Sequence, residues 1–192
     1  MIRGKFTIVL FALFTICYLA APGAGSLMAA EVDKGQIPGE HLSKAFKELP
    51  WGGPVYDVAE AVTQLKSKEK ALWVDTRPES FFKQGTVRNA VLMPYNKTGG
   101  QGNELKKEEL EAAIASAGLS KEAVKIIFFC QGPKCHRSYN ASFVTVTEWG
   151  FPPENIIWFR DGYPNLLNAV KKDTKLKRKA KRYLSDAGMK QL

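Results

Sequence analysis

Val124-Lys-Ile-Ile-Phe-Phe129 is the most apolar short run in the chain, and Cys130 stands at its end. A run of this length and composition is the pattern of a strand buried on both faces, as in parallel sheets. Ala71-Leu-Trp-Val-Asp75, Ala90-Val-Leu-Met-Pro94 and Asn155-Ile-Ile-Trp-Phe159 read the same way. Helical patterns lie around them. Val58, Ala61, Val62 and Leu65 share one face of 57–65, and Leu105, Leu110, Ala113 and Ile114 share one face of 104–117, which Gly118 stops. Residues 138–149 form a third helical stretch ending at Gly150, and Pro164 to Val170 starts a last one. Lys97 to Asn103 is Gly-rich and reads as a loop, and residues 31–50 show no clear strand. Alternating strands and helices imply an α/β fold with a mostly parallel central sheet flanked by helices. Ligands of such sheets bind beyond the carboxyl ends of the strands. Cys130 occupies such a place, so position alone makes it a site candidate.

The chain of 192 residues suits one domain plus extensions. With 45% hydrophobic and 24% charged residues, most of it can fold around a core. Its start is different. Arg3 and Lys5 precede an apolar run from Phe6 to Ala20, followed by Pro22, Gly23, Gly25 and Ala29-Ala30. A basic start, an apolar stretch and a small-residue exit make a secretory signal peptide. The apolar run is shorter than the ~20 residues a spanning helix needs, although an uncleaved anchor is the alternative. The expected organisation is a signal over 1–30, an N-terminal extension over 31–54, the domain over 55–172 and a basic, helical tail over 173–192. Trp51-Gly-Gly-Pro54 punctuates the chain where the domain begins.

Export, in a bacterium to the periplasm, places the chain where disulfides persist. Cys17 is discarded with the signal, leaving Cys130 and Cys135. A pair this close suits a disulfide, a redox couple, or a metal or haem site rather than a staple for the fold. The formal net charge is +9, and +7 without Arg3 and Lys5. Between Lys171 and Lys190 nine basic residues face only Asp173 and Asp186. Export argues against nucleic acid as partner. The basic tail reads first as a solvated helix, and second as a contact for a membrane surface or an acidic partner.

Six residues separate Cys130 from Arg137, in a loop that leaves a strand and enters a helix. Backbone N–H groups in such loops point inward, and the helix N-terminus adds positive charge. Lys134, Arg137 and a protonated His136 would add full charges. All of these favour thiolate at Cys130. Gly132 lets the loop curl close to a ligand, and Pro133 stiffens it. His41 reads as a cap or an exposed residue near the start of the domain, and His136 as a residue of the loop rim. Trp73, Phe81, Phe82, Phe128, Phe129 and Trp158 read as core or pocket wall.

Several motifs carry a resemblance. Trp73-Val-Asp-Thr-Arg77 is similar to a family strand ending in Asp-x-Arg. Phe82, Gly85, Val87 and Ala90 follow at that family's intervals, with Thr86, Arg88 and Asn89 replacing its usual His, Pro and Gly. Phe128-Phe-Cys130, Arg137-Ser-Tyr-Asn-Ala141 and Phe159-Arg-Asp-Gly162 complete the order. The chain resembles the rhodanese, or sulfurtransferase, family over residues 55–172. The resemblance implies a three-layer fold and a two-step reaction. Cys130 takes a sulfane sulfur as a persulfide, and a thiol acceptor then removes it. Arg137 and the loop amides would stabilise anions. Gln131, Gly132, Lys134 and His136 would bind substrate. Cys135 would attack the persulfide or close a disulfide, and Asp75 and Arg77 would support the strand end.

One departure is informative. Rhodaneses place four residues between this Cys and Arg, and their phosphatase relatives five. The longer loop with its second cysteine resembles that of an exported subgroup with Cys-x-x-Gly-x-x-Cys-Trp-like loops, in which Gly132 stands one place early and His136 replaces Trp. The expected partners are a small sulfur-containing anion or persulfide donor and a thiol acceptor. No cofactor and no metal is expected. The competing readings are a thiol–disulfide redox protein using Cys130 and Cys135, a non-catalytic binding module on the same fold, covalent haem at the stretched Cys-x4-Cys-His, and a phosphatase.

Overall fold

The computed structural model describes residues 36–96 and 103–192. The signal segment, Cys17 and most of the Gly-rich loop lie outside the described residues. Five strands, β1 (Val55–Tyr56), β2 (Ala71–Asp75), β3 (Val91–Leu92), β4 (Lys125–Phe129) and β5 (Ile156–Phe159), form one sheet in the order β1-β5-β4-β2-β3. Every pairing between them is parallel. The helices are α1 (Val58–Lys66), α2 (Glu79–Gln84), α3 (Lys107–Ser116), α4 (His136–Thr147), α5 (Gly162–Lys172), α6 (Thr174–Arg178) and α7 (Asp186–Met189).

The strand run that dominates the sequence explains the layers. Side chains alternate across a strand. Ile127 and Phe129 of β4, with Trp73, Ile157 and Phe159, face Ala61 of α1 and Leu166, Leu167 and Val170 of α5. Ile126 and Phe128, with Leu72, Val74 and Ile156, face Leu110 and Ile114 of α3 and Ala141 and Val144 of α4. All four apolar residues of β4 are 0% exposed, and burying each contributes roughly 1.5–3 kcal/mol. The register then sets the site. Asp75, Phe129 and Phe159 lie side by side at the carboxyl ends of β2, β4 and β5. The residues that follow them, Thr76, Cys130 and Arg160, therefore leave the sheet at one edge.

Two elements are absent from the sequence reading. β1 has only two residues, too few to show a period. α2 buries none of its residues, and Phe81 is the one exposed large hydrophobic among the described residues. It is not core. Boundaries also move. α4 begins at His136 rather than Ser138, which makes Cys135 its N-cap.

The extensions are part of the fold. Arg160, 1% exposed, donates to the carbonyls of His41 (3.1 Å), Phe46 (3.2 Å) and Ser43, and pairs with Asp57. Burial pushes the Asp57 carboxyl up, but Lys47 and Arg160 outweigh it and hold the pKa below the ordinary value. His41 is neither exposed nor a surface cap. It is buried, stacked on Phe46, with Nδ1 2.8 Å from the Tyr139 hydroxyl. Desolvation lowers its pKa, against a smaller opposing effect of Glu40. At the other end, Leu176, Ala180, Tyr183 and Leu184 are buried on the α1/α5 face. The Arg88 N–H donates to the Tyr183 carbonyl (2.9 Å), and the Ser185 N–H to the Thr86 carbonyl (2.9 Å). The basic residues of 171–190 all stay exposed around these apolar anchors.

Candidate active site

Cys130 follows β4 directly, and the chain from Gln131 to Cys135 curls before α4 begins. Cys130 and Cys135 are joined by a disulfide, with their Cα atoms 6.2 Å apart. Cys130 is 1% exposed, whereas Cys135 is half-buried. As N-cap of a twelve-residue helix with no acidic residue in its first turn, Cys135 sits in the positive field of the helix N-terminus. That field favours a thiolate once the disulfide opens.

Neighbouring strand ends hold the loop. Just after β2, the Thr76 N–H and hydroxyl both donate to the Phe129 carbonyl at the end of β4 (3.1 and 2.9 Å). Beyond β5, the Tyr163 N–H donates to the Cys130 carbonyl (2.9 Å). Gly162 makes this approach possible. A Cβ there would stand 2.5 Å from the Cys130 carbonyl oxygen and 2.6 Å from the Gly132 nitrogen, and its φ is +71°. Within the loop, the Cys135 N–H donates to the Gly132 carbonyl (3.0 Å). Among the described residues, the N–H groups of Gln131, Gly132 and Lys134 donate to no backbone oxygen.

Asp75 and Arg77 support this edge from below. Both are buried. Arg77 Nε donates to Asp75 Oδ1 (2.8 Å) and Nη2 to Oδ2 (2.6 Å), a forked pair. Nη2 also donates to the Gly85 carbonyl (2.7 Å), and Nη1 to Gln131 Oε1 (3.1 Å) in the loop itself. Thr86, standing where the resemblance led one to look for His, donates its hydroxyl to Asp75 Oδ2 (2.7 Å). The guanidinium lies 4.6 Å from the Tyr163 ring centroid. Burial pushes the Tyr163 hydroxyl up to about 12, and Arg77 only partly opposes it. Beside Arg77, Gln131 and Tyr163 opens a cleft of about 130 Å³, with Phe81 and Gln191 on its wall.

The sequence-predicted residues fall into three positions. Cys130, Gln131, Gly132 and Cys135 share the loop, with Asp75 and Arg77 as its base. Lys134 is exposed at the loop's outer surface. His136 and Arg137 belong to the first turn of α4. His136 is buried rather than on a rim, because the helix starts earlier and turns its ring inward. Arg137 donates from Nη1 to the Tyr95 carbonyl (3.2 Å), beyond β3, and burial lowers its pKa. Gly162, Tyr163 and Thr86 escaped the sequence reading as site residues. A glycine directly between a strand and a helix was the available signal for Gly162.

Residues 58–169 match the family model of the Rhodanese-like domain. No match was found among curated proteins. Two solved structures of Saccharomyces cerevisiae Ygr203w are similar to this chain. One is described as a homolog of single-domain rhodanese and of the Cdc25 phosphatase catalytic domain. It is 13% identical, with a TM-score of 0.51, over 68% of this chain and 86% of that one. The other is described as a yeast protein tyrosine phosphatase of the Rhodanese family. It is 14% identical, with a TM-score of 0.50, over 68% and 92%. The structure of BH2092 from Bacillus halodurans also matches, at 21% identity and a TM-score of 0.45, over 68% and 78%. At such identities the Ygr203w structures speak for the fold alone, a five-stranded parallel sheet flanked by helices.

Proposed function

The chain belongs to the rhodanese-like domain family, and from that premise we propose that it is an exported sulfurtransferase or sulfur carrier working through a Cys130 persulfide. The observation that carries this reading is the placement of Cys130. It stands at the carboxyl end of the central strand, whose last carbonyl accepts from Thr76, in a loop held by Arg77 and Tyr163. Reduction of the disulfide frees Cys130 as a thiolate. That thiolate attacks the outer sulfur of a sulfane donor, such as thiosulfate, and the donor's remainder leaves with the electron pair of the broken S–S bond. The amides of Gln131, Gly132 and Lys134 are the available donors to the anions involved, with Lys134 steering the donor from outside. Arg137 lends positive charge at the start of α4. The signal-like segment supports a periplasmic setting. The basic residues of 171–190 support a contact with an anionic surface, since Asp173 caps α6 and Asp186 is paired with Arg88.

The test is sulfite release from thiosulfate by the pre-reduced protein with excess dithiol. Release should be lost on Cys130→Ser. Equal rates in protein and variant would refute the assignment. The disulfide itself favours a second reading, a thiol–disulfide redox protein. Turnover of protein disulfides by a chain that releases no sulfite from thiosulfate would select it.

A further inference from the structure

We propose that Cys135 discharges the sulfur loaded on Cys130, so that the protein is a reductive enzyme: sulfane sulfur enters, hydrosulfide leaves, and an external dithiol supplies the electrons. The inference rests on the persulfide reading above and names the fate of the sulfur at that same site.

A carrier that delivers sulfur to a separate acceptor must keep other thiols away from its persulfide. This loop does the opposite. The disulfide shows that the two Sγ atoms come within bonding reach across a six-residue turn. The turn is built to keep them there. The Cys135 N–H is tied to the Gly132 carbonyl, the Cys130 carbonyl to the Tyr163 N–H, and Gln131 to Arg77. A nucleophile held this way acts at an effective concentration of at least about millimolar, and oriented intramolecular reactions go far beyond that. The N-cap position of Cys135 raises its thiolate fraction further. A free acceptor thiol has to compete with this neighbour.

The step balances. Cys130 thiolate takes the outer sulfur of thiosulfate, and sulfite departs with the electrons of the broken bond. Cys135 thiolate then attacks Cys130 Sγ. The Cys130–Cys135 bond forms, the bond to the outer sulfur breaks, and hydrosulfide leaves. One thiosulfate and one dithiol protein give one sulfite, one hydrosulfide, one proton and one disulfide protein. A dithiol partner resets the site. Its thiolate reaches the half-buried Cys135 rather than the covered Cys130. It expels Cys130 as thiolate, and its second thiol releases Cys135 by exchange. The partner class is thus a dithiol reductant, and the exchange begins at Cys135.

The experiment is an anaerobic single turnover. The full chain is reduced, freed of reductant, mixed with one equivalent of thiosulfate, and followed by sulfite, hydrosulfide and peptide mass. The expected result is one hydrosulfide per sulfite, with loss of ~2 Da linking the two cysteine peptides. In Cys135→Ser the sulfite burst remains, hydrosulfide falls at least tenfold, and Cys130 retains ~32 Da that cyanide removes as thiocyanate. If the unsubstituted chain also keeps its sulfur on Cys130 and yields it to cyanide without hydrosulfide, the inference is overturned and the carrier reading stands. If neither protein releases sulfite, the persulfide reading itself falls. The measurement on the unsubstituted chain decides the inference even if the variant does not fold.

Discussion

Gly162→Ala tests how the fold positions the active loop. Two costs are readable from the structure. The residue has φ +71°, and an L-residue in the left-handed region costs about 1–2 kcal/mol. The new methyl also meets the Cys130 carbonyl oxygen at 2.5 Å, the Gly132 nitrogen at 2.6 Å and the Gln131 carbonyl carbon at 3.0 Å. All three are backbone atoms, so relief requires moving the loop, and overpacking of this kind costs about 1–3 kcal/mol. The sum is about 2–5 kcal/mol. Gly118→Ala is the matched control, because φ is +65° there and nothing lies within 4 Å of the added Cβ. It should show the backbone cost alone. Urea unfolding of both variants with the disulfide intact isolates the difference, expected at about 1–3 kcal/mol. Sulfite release from thiosulfate should fall by up to about 100-fold in Gly162→Ala, the order expected for a 1 Å misplacement of reacting groups. It should be unchanged in Gly118→Ala. Equal destabilisation of the two variants would refute the claim that Gly162 is the seat of the loop.

Three further outcomes are expected. Arg77→Met should destabilise by about 3–5 kcal/mol in chemical denaturation, because it leaves the Asp75 carboxylate buried without its cation. A loss below 1 kcal/mol would show that the pair is dispensable to the edge. Reducing the disulfide should cost only about 2 kcal/mol, since a six-residue ring removes little chain entropy. Thermal melts with and without reductant check this, and collapse of the fold on reduction would contradict a chemical role for the bond. The lowered pKa of His41 means that the unfolded chain takes up that proton first. Its contribution is therefore complete above about pH 6.5 and declines as pH falls below that value. The difference in unfolding midpoint between His41→Gln and the parent should shrink over this window, and a difference constant with pH would exclude the linkage.

The sheet was legible wherever a strand was long and buried on both faces. β2, β4 and β5 appear nearly at the residues where apolar runs place them. β1, with two residues, gave no signal, and the run Ala90–Pro94 pairs only over Val91–Leu92. Cys130 was legible because a strand ends beside it. The standing of Cys135 was not, because it depends on where α4 begins, and polar His136 and Arg137 carry no period that extends the helix backwards. The burial of His41 is not legible in the sequence, because it arises from Phe46 and from Tyr139, the latter 98 positions away. The basic stretch 173–192 hid its anchors for a related reason. Its helices are too short for the buried side chains of Leu176, Ala180, Tyr183 and Leu184, set among many lysines, to form a recognisable face.

The brevity of the outer strands bears on how copies of this protein meet. β1 and β3 are two residues each. The far side of β1 is already taken, because the Val55 N–H donates to the Lys47 carbonyl and Glu48 bridges Pro54. A parallel sheet with long bare margins is a template on which a second chain adds strands and aggregates. Among the described residues neither margin offers a ladder of useful length, and the formal net charge, +9 for the full chain and +7 without Arg3 and Lys5, repels like molecules. On the reading proposed above, in which the disulfide opens during turnover, these short rims keep the reduced chain from adding strands to a neighbouring copy.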